Sequence, residues 1–139
     1  MEIATLRAAQ QRAAALQVSI AAAELRDLEA QVDETTTQLE MAQTAWARAL
    51  RREPLRLELV RTWSNRVLQR EEELRSLGFH VDEAKAHLSR RSDAWKDAKA
   101  QQDCADAVYK AAIRRNRRWH EEFAVGLAAD AFLHRQARP

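Results

Sequence analysis

Apolar residues recur along this chain at the spacing of a heptad. With Val60 as position a, most of the following a and d positions are apolar. The a positions are Val60, Val67, Leu74, Val81, Leu88, Trp95, Gln102, Tyr109, Asn116 and Phe123. The d positions are Trp63, Arg70, Leu77, Ala84, Arg91, Ala98, Ala105, Ala112 and Trp119. A repeat sustained over this many heptads is typical of long helices packed along a narrow seam.

The first third of the chain carries the same repeat. Its a positions are Val18, Leu25, Val32, Leu39 and Trp46, and its d positions are Ala21, Leu28, Thr35, Ala42 and Ala49. Towards the N-terminus the frame slips, and Ile3, Leu6, Ala13 and Ile20 follow a different phase. Such a slip changes the supercoil locally, so we expect it to mark a separate functional end.

Two positions could interrupt the helical pattern, namely Pro54 and Gly78. Proline inside a helix costs roughly 3 kcal/mol and glycine about 1 kcal/mol relative to alanine. A turn at Pro54 pairs Ala42 with Val67, so that small residues meet large ones. A turn at Gly78 also gives good layers, such as Trp46 with Ala112. The sequence leaves both open, and we place the turn at Pro54.

The resulting prediction is an all-α fold, in which two long helices form an antiparallel coiled-coil hairpin. A single domain covers residues 1–139, with helix 1 at about 1–52, the turn at about 53–56 and helix 2 at about 57–135. The second helix is the longer, so residues after about Tyr109 overhang the first. Trp119, Phe123, Phe132 and Leu133 then lack an intrachain partner, and an exposed apolar stripe marks a binding site.

Composition supports few, long helices. The chain has only 2 Gly and 2 Pro, and 46% hydrophobic residues, among which alanine is prominent. The net charge is +2, but residues 110–139 hold seven Lys and Arg against three Asp and Glu. The N-terminus has no continuous apolar region of a signal peptide, and Cys104 is the single cysteine. We expect a cytoplasmic protein without direct membrane insertion.

No combination of residues in the sequence predicts catalysis. His80, His87, His120 and His134 are scattered, and His80 and His87 are one heptad apart rather than four residues. The chain has no glycine-rich phosphate loop. We therefore predict no catalytic residues, no cofactor, no metal and no enzymatic activity.

The densest charge cluster is the run Arg114-Arg115-Asn116-Arg117-Arg118-Trp119. It could be a solvated helical face, a phosphate-binding surface or a docking surface for an acidic protein. Glu121, Glu122 and Asp130 dilute the positive field. Docking on a protein is therefore preferred, and nucleic acid is the less favoured partner.

Several short stretches resemble the FliJ/YscO family, the central stalk proteins of type III secretion and flagellar export. Gln38-Leu39-Glu40-Met41 looks like a Gln-Leu-Lys-Met stretch in the first helix of that family. Trp63 matches a tryptophan shortly after the family's turn, and Asp93-Ala94-Trp95-Lys96 resembles a Ser-Trp-Arg segment of its second helix. The resemblance covers most of the chain as architecture and a few residues as motif. The turn Arg52-Glu53-Pro54-Leu55 is less polar than is usual in the family.

The resemblance implies a stalk that enters the pore of a hexameric export ATPase and links it to the export gate protein. The terminal end, formed by residues 6–20 and 114–123, would face the ATPase, and the turn end would face the gate. The residues implied at the ATPase end are Arg114, Arg115, Arg117, Arg118, Trp119 and Phe123. Those implied at the gate end are Gln38, Trp46, Leu50, Trp63 and Val67. Secretion chaperones are a further class of candidate partner.

Two other functions compete with the stalk. One is a generic structural coiled coil that self-associates. The other is a helical nucleic-acid-binding protein that uses the C-terminal arginines.

Overall fold

The computed structural model describes residues 2–137 and consists of two long helices. Helix α1 spans Glu2–Arg51 and helix α2 spans Leu57–Gln136. They pack against each other as an antiparallel hairpin, which confirms the predicted all-α fold class. The observed ends of both helices lie within one residue of the predicted ends. Residue 1 and residues 138–139 lie outside the described part.

The chain reverses between Arg52 and Arg56, around Pro54. Proline has no N–H to donate to the preceding turn of a helix, and α1 ends three residues before it. Gly78 lies inside α2. Its cost of about 1 kcal/mol relative to alanine is tolerated because the apolar seam continues on both sides of it, through the half-buried Leu74, Leu77 and Val81.

The chain divides into two compact units. One contains residues 14–95, which include the turn and the helical segments on either side of it. The other contains residues 1–13 and 96–139. A single domain over the whole chain stays a prediction, and the two units are described separately below.

In the unit of residues 14–95, the seam follows the predicted heptads. The d positions of α1 are the most buried, namely Ala21, Thr35, Ala42 and Ala49, with Leu28 half-buried. In α2 the buried residue is Val67. No large side chain among the described residues is fully buried. The core is therefore a narrow seam of small residues enclosed by half-buried large ones, as a two-helix packing dictates.

Polar residues also enter this seam. Arg70 occupies a d position and is half-buried, and its Nη1 donates to Glu73 Oε2 at 2.8 Å. Arg91, the other arginine at d, is exposed. Thr35 is buried, and the neighbouring Thr36 hydroxyl donates to the Val32 carbonyl at 2.7 Å. A charge in the seam is thus either paired locally or turned towards solvent.

In the other unit, the N-terminal segment of α1 packs on the part of α2 that begins at residue 96. Arg7 Nη1 donates to Gln101 Oε1 at 2.5 Å. The half-buried residues here are Ala4, Arg7, Ala8 and Gln11 in α1, and Ala98, Gln102, Ala105, Asp106 and Ala111 in α2.

This pattern corrects the predicted change of phase. Ala4, Arg7 and Gln11 continue the a and d positions of the heptad that contains Val18. Ile3 and Leu6 are 70% and 58% exposed, and Ala13 and Ile20 are exposed as well. The phase is preserved because α1 is one uninterrupted helix, and the residues facing it on α2 are small or polar. Alanines and long polar side chains fit that layer, whereas isoleucine and leucine remain outside it.

Candidate interaction surfaces

The C-terminal part of α2 has no α1 beside it. Helix α1 begins at Glu2, and from residue 107 to residue 137 every side chain except the half-buried Ala111 is exposed. The a and d positions nevertheless continue through this segment. We call their exposed surface the C-terminal stripe, formed by Tyr109, Ala112, Ile113, Asn116, Trp119, Phe123, Gly126 and Leu127.

Trp119 and Phe123 form the centre of the stripe. They are 57% and 55% exposed, and their rings stack with centroids 5.4 Å apart and planes 10° from parallel. The Trp119 ring also meets the edge of His120 at 5.1 Å. A shallow depression beside the stack is bordered by Glu122 and Asp130 as well. The two aromatic side chains predicted for a partner are therefore together and accessible.

The four arginines do not form one patch beside these rings. Successive residues of a helix are about 100° apart around its axis, so a consecutive run is spread around the helix. Arg115 lies nearest the stripe, and Arg114 lies on the opposite side. Arg117 Nε donates to Glu121 Oε1 at 3.2 Å, which offsets one of the positive charges. The structure thus places a single predicted arginine, Arg115, on the flank of the stripe.

The residues predicted for the turn end differ widely in exposure. Val67 is only 5% exposed and belongs to the seam. Trp46, Trp63 and Gln38 are half-buried, and Leu50 is 51% exposed. Among the described residues, the indole N–H of Trp46 is the buried side-chain donor that has no acceptor. Leu50 is therefore the residue of this set that is most available to a partner.

An open groove of about 1020 Å³ runs along one side of the hairpin near the turn. The guanidinium carbon of Arg66 lies 4.8 Å from the centroid of the Trp63 ring, a geometry that favours a cation–π contact. Other residues that line the groove are Thr37, Gln38, Glu40, Met41, Ala42, Thr44, Ala45, Arg48, Ala49, Arg52, Leu59 and Arg70.

Of the residues in this groove, the sequence predicted Trp63 and Gln38 as site residues but not Met41, Arg48 and Arg66. The spacing of Arg66 three residues after Trp63 was the signal for the pair, since residues i and i+3 adjoin on a helix.

Among residues 2–137, no group of three or more His, Cys, Asp or Glu side chains is placed to hold a metal ion. Within the same part of the chain, neither helix has an apolar stretch long enough to cross a membrane. Cys104 is exposed.

Comparison of the chain with protein-family profiles, characterised proteins and solved structures finds no match. The resemblance to the FliJ/YscO family therefore depends on the residues quoted above and on the helical hairpin.

Proposed function

We propose that this chain is the central stalk of a type III secretion or flagellar export apparatus. The terminal end would engage the pore of the hexameric export ATPase, and the turn end would contact the export gate protein. The protein would be cytoplasmic and peripheral to the membrane-embedded apparatus. It would act by binding, without catalysis, and secretion chaperones would be further partners.

The observation that supports this proposal most strongly is the exposed end of α2. A soluble helix normally covers its apolar face, yet the C-terminal stripe presents Trp119 and Phe123 to solvent. Interfaces commonly concentrate their binding energy in Trp, Tyr and Arg. An aromatic pair with Arg115 at its flank therefore suits a protein partner whose binding surface is acidic at its edge.

The turn end offers a second, different surface. The groove beside Trp63 is lined by Arg48, Arg52 and Arg66 and by the exposed Met41. Two separate binding surfaces are what a protein linking an ATPase to a gate requires. The nucleic-acid alternative is supported less well, because the C-terminal arginines are distributed around the helix and one of them is paired with Glu121.

The proposal is tested by a pull-down with an export ATPase from the same genome. We expect wild-type protein to bind, and binding to weaken with salt because exposed charges are screened within about 10 Å at 0.1 M. The variant Arg115→Glu should bind less while circular dichroism shows unchanged helicity, because Arg115 is the arginine on the flank of the C-terminal stripe. The matched control is Arg90→Glu, since Arg90 is also an exposed residue of α2 and the charge change is the same.

A gel shift with DNA and RNA completes the test. The stalk function predicts ATPase binding and no retention of nucleic acid at physiological salt. Binding of nucleic acid without binding of the ATPase would reject the stalk and favour the nucleic-acid alternative. Equal loss of ATPase binding in Arg115→Glu and Arg90→Glu would show that overall charge, and not the C-terminal surface, governs the interaction.

A further inference from the structure

The open groove near the turn, with a volume of about 1020 Å³, is lined by both helices within the unit of residues 14–95. It follows heptad position g, which is occupied by Gln38, Ala45 and Arg52 in α1 and by Leu59 and Arg66 in α2. In an antiparallel pair of helices, the two sets of g positions flank the same side of the seam. Ala45 contributes only a methyl group to this side, which leaves room there for side chains of another molecule.

Apolar side chains in the groove are accessible to a partner. Met41 is 67% exposed, and Leu59 and Trp63 are half-buried on the α2 side. Removal of apolar area from water is the main favourable term in most protein association. The groove therefore suits a partner that carries an apolar surface.

Arginines surround these apolar side chains. Arg48, Arg52 and Arg66 line the groove and are exposed, and within residues 2–137 none of these three forms an ion pair. A fourth arginine, Arg70, is paired within α2. Among the residues that line the groove, Glu40 is the single carboxylate. The charge of the groove is therefore positive and is not neutralised by the chain itself.

Trp63 positions one of the unpaired guanidinium groups. The guanidinium carbon of Arg66 lies 4.8 Å from the centroid of the Trp63 ring. A guanidinium group over an aromatic ring keeps N–H donors available, and arginine binds carboxylates with two parallel hydrogen bonds. Because the Arg66 side chain already lies on the ring, less side-chain freedom is lost when a carboxylate binds.

We propose that this groove binds an acidic amphipathic helix of a partner protein, which lies along the hairpin between α1 and α2. A helix bound in a groove uses apolar side chains at positions i, i+3, i+4 and i+7, and these would contact Met41, Leu59 and Trp63. Aspartate and glutamate side chains beside them would meet Arg48 on one edge and Arg66 on the other.

The length of the groove sets the length of the bound helix. The α1 residues that line it run from Thr37 to Arg52, which is about 23 Å at 1.5 Å per residue. A partner helix of about four turns covers that distance. Such a helix presents its apolar face over the whole groove and keeps its acidic side chains within reach of the arginines.

The groove suits an acidic helix better than a nucleic acid. Single-stranded nucleic acids stack their bases on accessible aromatic rings, whereas Trp63 is half-buried and Arg66 covers one of its faces. Glu40 would repel a phosphate group, and a phosphate backbone gains nothing from Met41 and Leu59. An apolar helix face with flanking carboxylates satisfies both kinds of surface.

This inference rests on the proposed function only for the source of the helix, which would be the export gate protein at the turn end. The chemistry of the groove is independent of the C-terminal stripe. Failure of the peptide experiment below would leave ATPase binding by the stripe unchanged. Failure of the ATPase pull-down would likewise leave the binding of an acidic helix in this groove unchanged.

The test uses the full-length chain and two labelled synthetic peptides of about 15 residues. The acidic peptide has leucine at positions i, i+3, i+4 and i+7 of each repeat and glutamate beside them, and the basic peptide has lysine in place of each glutamate. In fluorescence anisotropy the acidic peptide should bind with a dissociation constant on the order of ten micromolar. The basic peptide should bind at least about tenfold more weakly, and circular dichroism should show that the bound acidic peptide is helical.

Charge reversal in the groove should exchange this preference. Arg48→Glu with Arg66→Glu should weaken binding of the acidic peptide by at least about tenfold, and the basic peptide should then bind more tightly than the acidic one. The matched control is Arg51→Glu with Arg61→Glu, since both residues are exposed near the turn, do not line the groove and give the same change in charge. The control should bind the acidic peptide like wild type.

The apolar contribution is measured separately. Met41→Ala should weaken binding of the acidic peptide on the order of threefold. Leu68→Ala is its control, because Leu68 is 61% exposed but does not line the groove. Absence of binding to the acidic peptide, equal binding of both peptides, or equal losses in the two double variants would each overturn the proposal. Displacement of the acidic peptide by a single-stranded oligonucleotide at lower concentration than by unlabelled peptide would also overturn it and assign the groove to nucleic acid.

Discussion

Arg7 near the start of α1 donates a hydrogen bond to Gln101 of α2, across 94 residues of sequence. The contact lies in the heptad layer that also contains the half-buried Gln102. It shows that the N-terminal turns of α1 remain in register with α2 within their unit. Both side chains are at the edge of the seam, so the hydrogen bond contributes little energy, about 1 kcal/mol, but it reports the pairing directly.

The first prediction concerns the buried alanines of α1. Ala21 is 1% exposed, so Ala21→Leu should lower the free energy of unfolding by roughly 1–3 kcal/mol through overpacking. Ala30 is exposed on the same helix, so Ala30→Leu should change the free energy of unfolding by less than about 0.5 kcal/mol. Thermal unfolding followed by circular dichroism measures both. Equal effects of the two substitutions would mean that the a and d positions of α1 are assigned incorrectly.

A second prediction follows from the unpaired indole N–H of Trp46. A buried donor without an acceptor costs about 1–3 kcal/mol, and Trp46→Phe removes that donor while retaining an aromatic ring. The smaller ring destabilises the fold, whereas removal of the unpaired donor stabilises it. We therefore expect the free energy of unfolding of Trp46→Phe to lie within about 1 kcal/mol of wild type. Trp46→Ala is the comparison and should cost at least about 2 kcal/mol. If phenylalanine destabilises as much as alanine in urea unfolding, the indole N–H has an acceptor in solution.

Trp95 and Cys104 provide a third comparison on α2. Trp95 occupies an a position and is half-buried, so Trp95→Ala should cost roughly 2–3 kcal/mol, less than a fully enclosed tryptophan. Cys104 is exposed at position c, and Cys104→Ser should leave the free energy of unfolding within about 0.5 kcal/mol of wild type. The measurement is chemical denaturation under reducing conditions. If Trp95→Ala and Cys104→Ser unfold at the same denaturant concentration, Trp95 does not belong to the seam.

Backbone protection should also differ along α2. Amides of residues 60–95 lie opposite α1 in their unit, whereas those of residues 110–136 lack a helix beside them. Local opening is easier where few apolar contacts are lost, so the C-terminal amides should exchange much faster in dilute protein. Uniform protection along α2 would argue against an uncovered C-terminal segment.

Much of this fold could be predicted from the heptads. The a and d positions of residues 18–49 and 60–105 coincide with the buried and half-buried side chains, except at the exposed Arg91. They do so because a two-helix seam requires an apolar side chain every three or four residues. The scarcity of turn residues, with only 2 Gly and 2 Pro in the chain, similarly favoured a few long helices. For the candidate sites, the spacing identified Trp119 and Phe123, since four residues bring side chains together on a helix.

The remaining features depended on pairing between distant segments. Both Pro54 and Gly78 gave acceptable layers, and the helical path through Gly78 costs only about 1 kcal/mol when its seam is continuous. The phase of residues 3–13 was misjudged because Ile3 and Leu6 are the larger apolar residues, whereas the layer offered by α2 suits Ala4 and Arg7. The groove with Arg66 and Met41 combines residues of both helices.

The sequence by itself thus determined which residues are helical and which face forms the seam, because these follow from local periodicity. The tertiary structure decided the turn, the N-terminal phase and the groove, because each depends on which side chain of α2 lies opposite a given side chain of α1.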